Sequence, residues 1–327
     1  VTNVSLGRSG AEVSELCLGA MYFGSRTNED TSVALLDRYL EAGGSFIDTA
    51  NAYARWVPGC EGGESEALLA RWMKVRKNRT DLFLASKVGF PAPVDGLEFG
   101  ATADQIERAC EASLRRLGTE VIDLYYVHAD DRSSPFEERL EAFERLRRAG
   151  KIRYCGASNI TDWRLEEAHW IAHERGWADY CCVQQRYSYV RAQSGAIYDP
   201  HVTVDEEFLD YARVRGLTIL AYSPLLGGAY TRKDRDFPEQ YHGPDTDARL
   251  AALNAVARAR GATPNQTVLA WLMKSDPPVI PVIGASTSDQ LEELLASGDL
   301  MLTPDDLETL SQAGNHPATH PAAQRHP

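Results

Sequence analysis

Ile122-Asp123-Leu124-Tyr125-Tyr126-Val127, then an amphipathic run from Pro135 to Ala149 closed by Gly150, then Ile152-Arg153-Tyr154-Cys155-Gly156-Ala157: this stretch decides the fold. Its two short runs are largely apolar throughout, as strands buried on both faces of a parallel sheet are, and the segment between them has the length and patterning of a covering helix. Read outward, the same unit recurs. The strand candidates are Leu16-Ala20, Ser45-Asp48, Leu82-Ser86, Ile122-Val127, Ile152-Ala157, Cys181-Gln185, Leu217-Ala221 and Val279-Ile283. Eight βα units favour a closed (β/α)8 TIM barrel over a doubly wound sheet. An opening hairpin from Val4 to Val13, turning through Gly7-Arg8-Ser9-Gly10, precedes them.

Helices are expected at Asn28-Ala42, Glu64-Arg76, Thr102-Leu117, Pro135-Ala149, Asp162-Glu174, Asp205-Arg215, Asn265-Met273 and Ser288-Ala296. Thr102-x-x-Gln105 has the form of a capping box, Pro135 suits a first helical turn, and Gly43, Gly118, Gly150, Gly176 and Gly216 sit where helices end. No Pro/Ser-rich linker divides the chain, so residues 1–314 read as one barrel domain and 315–327 as a flexible tail. Arg186-Thr203 and Pro224-Asp245 are long for connections, and long loops on the C-terminal face of a barrel often serve as lids or binding loops.

The 327 residues, 43% of them apolar, suffice for a large core. A formal charge of −13 without a long Lys/Arg run argues against nucleic acid and anionic membrane as partners. Cys17, Cys60, Cys110, Cys155, Cys181 and Cys182 form no Cys-x-x-Cys pair and read as reduced, packed thiols. No apolar run reaches the roughly 18 residues of a membrane helix, and the first residues lack the plan of a signal peptide. A cytoplasmic location is the expectation.

Chemistry in such a barrel gathers where strands end. Asp48 closes strand two, Tyr53 follows in the next loop, Lys87 closes strand three and His128 closes strand four. Taken singly, each has an ordinary explanation: a turn cap, a packed aromatic, a solvated cation, a satisfied core histidine. Together they place a carboxylate, a phenol, an amine and an imidazole around one mouth. A carboxylate keeps a neighbouring ammonium charged, and the ammonium lowers a nearby phenol from its ordinary pKa of about 10. Carbonyl reduction requires such an acid, because hydride arriving at carbon builds negative charge on oxygen that a proton quenches.

Phe46-Ile47-Asp48-Thr49-Ala50-Asn51-Ala52-Tyr53, Gly63-Glu64-Ser65-Glu66, Ser86-Lys87, Val127-His128, Gly150-Lys151-Ile152-Arg153, Gly156-Ala157-Ser158-Asn159, Gln184 and Ala221-Tyr222-Ser223-Pro224-Leu225 together resemble the aldo-keto reductase family. The resemblance runs from Val4 to about Leu310 and implies reduction of an aldehyde or ketone with NADPH. It makes Tyr53 the general acid/base, tuned by Lys87 and Asp48, and gives His128 the substrate carbonyl. It also implies that Ser158, Asn159 and Gln184 bond the nicotinamide carboxamide and that Tyr222 stacks on its ring. Ser223, Leu225 and the turn at Gly227-Gly228 would then follow the pyrophosphate. Gly19, Ala20 and Met21, at the end of strand one, are assigned to the same cofactor site.

Gly284 to Gln290 lead into a helix whose first amides can hold a phosphate, which assigns Gly284, Ser286 and Gln290 to the cofactor as well. The family's best-known members carry a lysine and an arginine for the 2′-phosphate of NADP where this chain has Gly284 and Gln290, and an asparagine near the adenine where it has Leu294. NADP(H) is the expected cofactor, with NAD(H) possible. Tyr22, Arg55, Trp56 and Arg186 are assigned to the substrate pocket, and the two arginines suggest a polar carbonyl compound such as a hydroxy-aldehyde or keto-sugar.

His169 and His173 have the i, i+4 spacing of metal ligands, but no glutamate follows His169 and no third ligand is evident, so no metal is expected. Gly59-Cys60-Glu61-Gly62-Gly63 matches neither a Rossmann turn nor a P-loop and reads as a flexible lead into the second helix. Two other functions compete. Lys87 would serve a Schiff-base lyase if its amine were neutral, against which Asp48 argues. Alternatively, the barrel would bind NADP(H) as a regulatory or channel-associated subunit with little turnover.

Overall fold

The computed structural model describes residues 1–193, 195–196 and 198–315. Eight parallel strands close into a barrel: β3 (Cys17–Gly19), β4 (Phe46–Asp48), β5 (Phe83–Val88), β6 (Ile122–Val127), β7 (Ile152–Ser158), β8 (Tyr180–Arg186), β9 (Thr218–Tyr222) and β10 (Val279–Ile283), with β10 returning to pair with β3. A hairpin of β1 (Asn3–Ser5) and β2 (Glu12–Ser14), in register at Val4 and Val13, precedes it. Helices α1 (Glu29–Glu41), α2 (Glu64–Arg76), α3 (Ala103–Leu117), α4 (Phe136–Arg148), α5 (Asp162–Arg175) and α6 (Glu206–Arg215) follow successive strands. Then α7 (Thr246–Ala259) and α8 (Pro264–Met273) precede β10, and α9 (Ser288–Leu295) and α10 (Pro304–Gln312) follow it.

Side chains alternate along a strand, so each strand serves two cores. Leu18, Ile47, Leu84, Tyr125, Val127, Val183, Ile219 and Ile283 face outward into the layer beneath the helices. Cys17, Phe46, Ala85, Leu124, Tyr126, Cys182, Leu220 and Ile280 face the barrel interior, where Leu6 and Val13 of the hairpin join them. The hairpin is therefore a plug in the N-terminal end. Burying these two side chains contributes about 1.5–3 kcal/mol each. The Gly7 amide donates to Thr218 Oγ1 at 2.6 Å, and a Cβ on Gly7 would stand 2.2 Å from the Cys181 carbonyl oxygen. Only glycine fits that approach.

The alternation that fills the interior also sets the site. Two residues beyond Phe46, Ala85, Tyr126, Cys182 and Leu220, on the same face and toward the C-terminal end, come Asp48, Lys87, His128, Gln184 and Tyr222. The inner face is thus apolar at the plugged end and polar at the open one.

Helix boundaries follow local chemistry. Thr102 and Gln105 form the expected capping box, and Gly118, Gly176 and Gly216 end their helices in the left-handed conformation. Pro135 is the residue before α4, not part of its first turn. Of the Gly59–Gly63 run, Gly59 borders open space while Gly62 and Gly63 are packed, since a Cβ on Gly62 would lie 2.7 Å from the Asn51 carbonyl oxygen. Helices α7 and α10 were not expected from the sequence. Both had signals: α7 buries Thr246, Arg249, Leu253, Val256 and Ala257 at helical spacing, and Thr303 with Asp306 forms a capping box on α10. A strict count of eight βα units leaves no slot for them.

The two long loops are tied to each other. The Ser188 hydroxyl lies 2.7 Å from that of Tyr230 and 2.5 Å from the Pro224 carbonyl, and the Gln193 amide donates to the Gln240 carbonyl at 2.7 Å. The expected tail falls outside the described residues from 316 onward. All six cysteines are free thiols. Among the described residues no helix is long and apolar enough to cross a membrane.

Candidate active site

Four side chains meet at the open end. Lys87 and Asp48 lie fully buried, and the Lys87 ammonium touches the Asp48 carboxylate. Its other hydrogens go to the Thr49 carbonyl at 2.9 Å and the Tyr53 hydroxyl at 2.6 Å. That phenol lies 3.0 Å from the same Asp48 oxygen, and its ring packs edge-on against His128 with centroids 5.7 Å apart. Tyr53 reaches this place from a loop bent by Ala54, which adopts φ +69°. The three donors of the Lys87 ammonium are thus all engaged.

The electrostatics differ from the expectation in one respect. Burial, with the Asp48 charge adding to it, pushes the Tyr53 phenol well above its ordinary value, a net shift opposite to the expected lowering. The phenol therefore stands protonated. Burial also draws Lys87 down, opposed by Asp48, and burial together with the Lys87 charge holds His128 far below the ordinary histidine range. His128 is neutral, and its buried Nδ1 has no hydrogen-bond partner.

Beneath these residues lies a support that was not foreseen. Ser65 on α2 bonds Thr49 Oγ1 at 2.7 Å and the Ala20 carbonyl at 2.7 Å, and buried Glu66 accepts from Ser86 at 2.6 Å and Arg116 at 2.7 Å. Arg116 continues to Asp95 at 2.8 Å. The Gly63-to-Glu66 motif thus braces the strand ends on either side of Lys87 and Asp48.

The residues assigned to the cofactor converge only in part. Asn159, at φ +53°, donates to the Ser158 hydroxyl at 3.1 Å and the His128 carbonyl at 2.8 Å, and accepts from the Tyr222 hydroxyl at 2.7 Å. Gln184, expected at the carboxamide, instead donates to Asp48 Oδ1 at 2.8 Å, which leaves its carbonyl oxygen as the group to meet a ligand. Gly19 also has a packing role, since a Cβ there would meet Val282 at 3.2 Å, while Ala20 is buried and its amide donates to the Asp48 carbonyl at 2.8 Å. Met21 and Leu225 are half-buried, and Ser223 is exposed at φ +54°. Gly227 and Gly284 border open space. Gln290 accepts from the Ser286 amide and hydroxyl at 2.8 and 3.0 Å, and Leu294 is a core residue facing the barrel.

Of the residues assigned to substrate, Trp56 packs edge-on to Tyr22 at 6.3 Å, and Arg55 is exposed. Arg186 donates to the Tyr241 hydroxyl at 2.9 Å and lies over the Tyr198 ring, with no carboxylate partner among the described residues. His201 and Phe90 complete this wall and were missed. His201 Nδ1 lies 3.0 Å from the Tyr222 hydroxyl, and the Phe90 ring is 4.6 Å from that of His128. The signal for His201 was its loop, which the sequence marks only by length. Away from the mouth, His169 contacts Asp179 at 2.5 Å and stacks on His173.

The model of the aldo/keto reductase family matches residues 15–315. Similar proteins include an uncharacterised oxidoreductase, YrpG, of Bacillus subtilis (strain 168), 33% identical with 94% of each chain covered. Norsolorinic acid reductase stcV of Emericella nidulans is 32% identical over 91% of this chain and 78% of its own. Among solved structures, the thermostable aldo-keto reductase Tm1743 with the inhibitor epalrestat superposes with a TM-score of 0.74 at 28% identity, covering 96% of this chain and all of that one.

Proposed function

Since the chain belongs to the aldo/keto reductase family of oxidoreductases, we propose that it reduces an aldehyde or ketone to the alcohol with NADPH, using Tyr53 as the general acid. The observation that carries this is the protonated, buried Tyr53 hydroxyl 2.6 Å from the Lys87 ammonium and beside a neutral imidazole with an unpartnered nitrogen.

The family generally uses nicotinamide cofactors, and the residues here fit one. Positive φ angles at Asn159 and Ser223, just beyond β7 and β9, and at Leu226 in the turn that follows β9 are strain of the kind kept at ligand clamps. Ser158, Asn159, the Gln184 carbonyl and Tyr222 would hold the nicotinamide end. The Ser223-to-Gly228 turn and the start of α9 would hold the phosphates. When bound, the nicotinamide supplies the hydride. Tyr53 donates its proton to the carbonyl oxygen as negative charge builds there, and Lys87 then stabilises the phenolate. Asp48 fixes Lys87, Gln184 fixes Asp48, and neutral His128 orients the carbonyl without competing as an acid.

NADPH is preferred over NADH by a modest margin. Ser286, Thr287 and Gln290 offer hydrogen bonds to a 2′-phosphate without the charge-assisted pair an arginine supplies. The substrate is polar, on the strength of exposed Arg55 and the unpaired Arg186 guanidinium. Lys87, with all its donors engaged, does not serve as a Schiff-base nucleophile. Initial rates of NADPH consumption across matched polar and bulky apolar carbonyl compounds test the assignment. Multiple turnover with polar aldehydes supports it, and cofactor binding without turnover of any carbonyl refutes it.

A further inference from the structure

A cavity of about 480 Å³ opens at the plugged, N-terminal end of the barrel, where the proposed chemistry does not reach. Three residues of β8, roughly 10 Å of strand rise, separate Cys181 in its wall from Gln184 at Asp48. Its volume lies within the range of small-molecule sites. The walls include Arg8, Arg147, Arg153 and Arg215, with Tyr154, Tyr211 and Trp177 between them. So many guanidiniums in one cleft stand out on a chain whose net charge is −13.

The nearby carboxylates do not cancel them. Glu144 is shared by Arg147 at 2.8 Å and Arg148 at 2.7 Å, and buried Asp123 is shared by Arg79 at 2.8 Å and Arg153 at 2.7 Å. Glu166 serves Arg215 alone, and Asp179 is taken by His169, whose other ring nitrogen lies 3.4 Å from Arg215. Among the described residues Arg8 has no carboxylate partner, and its guanidinium makes only a 3.4 Å hydrogen bond to the Val214 carbonyl. It is nonetheless held in place. The docked Gly7 fixes the hairpin turn, and the Arg8 side chain lies across Gly216, where a Cβ would meet its Nε at 2.6 Å. Four guanidiniums thus line an aromatic-walled cleft, three of them paired with Glu144, Asp123 and Glu166 and the fourth, Arg8, without a carboxylate among the described residues.

We propose that this cavity binds a small phosphorylated ligand carrying a flat ring, of the nucleoside monophosphate kind, with Arg8 and Arg153 on the phosphate and Tyr154, Tyr211 and Trp177 along the ring. Guanidinium forks match phosphate oxygens, and rings stack on aromatic faces. The site lies outside the cofactor cleft, so cofactor and ligand bind together.

The test is calorimetric titration of AMP, and separately pyrophosphate, into the full chain saturated with NADPH. One saturable site is expected for AMP, weakening as NaCl rises. Arg8→Gln and Arg153→Gln should each raise its Kd about tenfold or more, the loss of a charge-assisted hydrogen bond. Tyr53→Phe should leave it unchanged. Arg8, in the hairpin turn, is exposed and unpaired among the described residues, so its variant should keep the wild-type melting temperature, and Arg153→Gln on β7 gives an independent reading. Absence of saturable binding by either probe overturns the proposal. So does an AMP Kd that both substitutions move by less than about threefold, a change too small for loss of such a bond.

Discussion

Replacing Tyr53 by phenylalanine removes one hydroxyl from the centre of the polar cluster and little else. The phenol oxygen lies 2.6 Å from Lys87 Nζ and 3.0 Å from Asp48 Oδ2, so the variant loses two hydrogen bonds while the Lys87–Asp48 pair and the Lys87 bond to the Thr49 carbonyl persist. The net stability cost of such a loss is about 0.5–1.5 kcal/mol per bond, small beside the barrier change if the phenol is the acid. General acid catalysis contributes about 100- to 10,000-fold, or roughly 3–5 kcal/mol. Turnover should therefore fall by that factor while the protein stays folded and the Kd for NADPH, which owes no proposed contact to the phenol, stays near wild type. Initial rates with a good aldehyde, a fluorescence titration of NADPH and a thermal melt measure the three quantities. Retention of more than about a tenth of wild-type kcat would refute the assignment, because that loss is too small for removal of a general acid.

Burial holds His128 neutral, and a histidine with a depressed native pKa adds stability above its unfolded value of about 6.5 that is lost as pH falls toward the native value. The urea midpoint should accordingly drop between about pH 7 and pH 5, and His128→Gln should flatten that slope; an unchanged slope would place the titration elsewhere. Gln290→Arg, at a position whose side chain bonds only Ser286 among the described residues, should tighten NADPH about tenfold with little change for NADH, as one charge-assisted bond to the 2′-phosphate would. Equal tightening of both cofactors would show that the 2′-phosphate is not held there. Gly7→Ala drives a Cβ into the Cys181 carbonyl at a residue with φ +54°, so it should cost about 2–4 kcal/mol in denaturant melts while the folded fraction keeps its kcat. A loss of kcat without loss of stability would contradict the separation of plug and site.

Much of this molecule is local, and local features are what a sequence carries. Each barrel strand is apolar on both faces because it is covered on both, and the caps at Thr102, Asp205 and Gly216 depend on residues within one turn, so the eight βα units and the barrel could be read in order. The meeting of Asp48, Lys87 and His128 was legible for a related reason: period-two alternation puts them on the inner face at consecutive strand ends. Tertiary structure decided what depends on distance between remote segments. The upward shift of the Tyr53 phenol turns on how completely the barrel excludes water, which no neighbour in sequence reports. Gln184 bonds Asp48 across 136 residues, Glu66 bonds Arg116 across 50, and His201 meets Tyr222 because a long loop folds back over the mouth. The cleft at the opposite end joins the turn after β1, the starts of β7 and β8, and the close of α6, elements whose sequences share no pattern. Periodicity fixes which way a side chain points, whereas its partners and its charge follow from packing that only the closed barrel brings about.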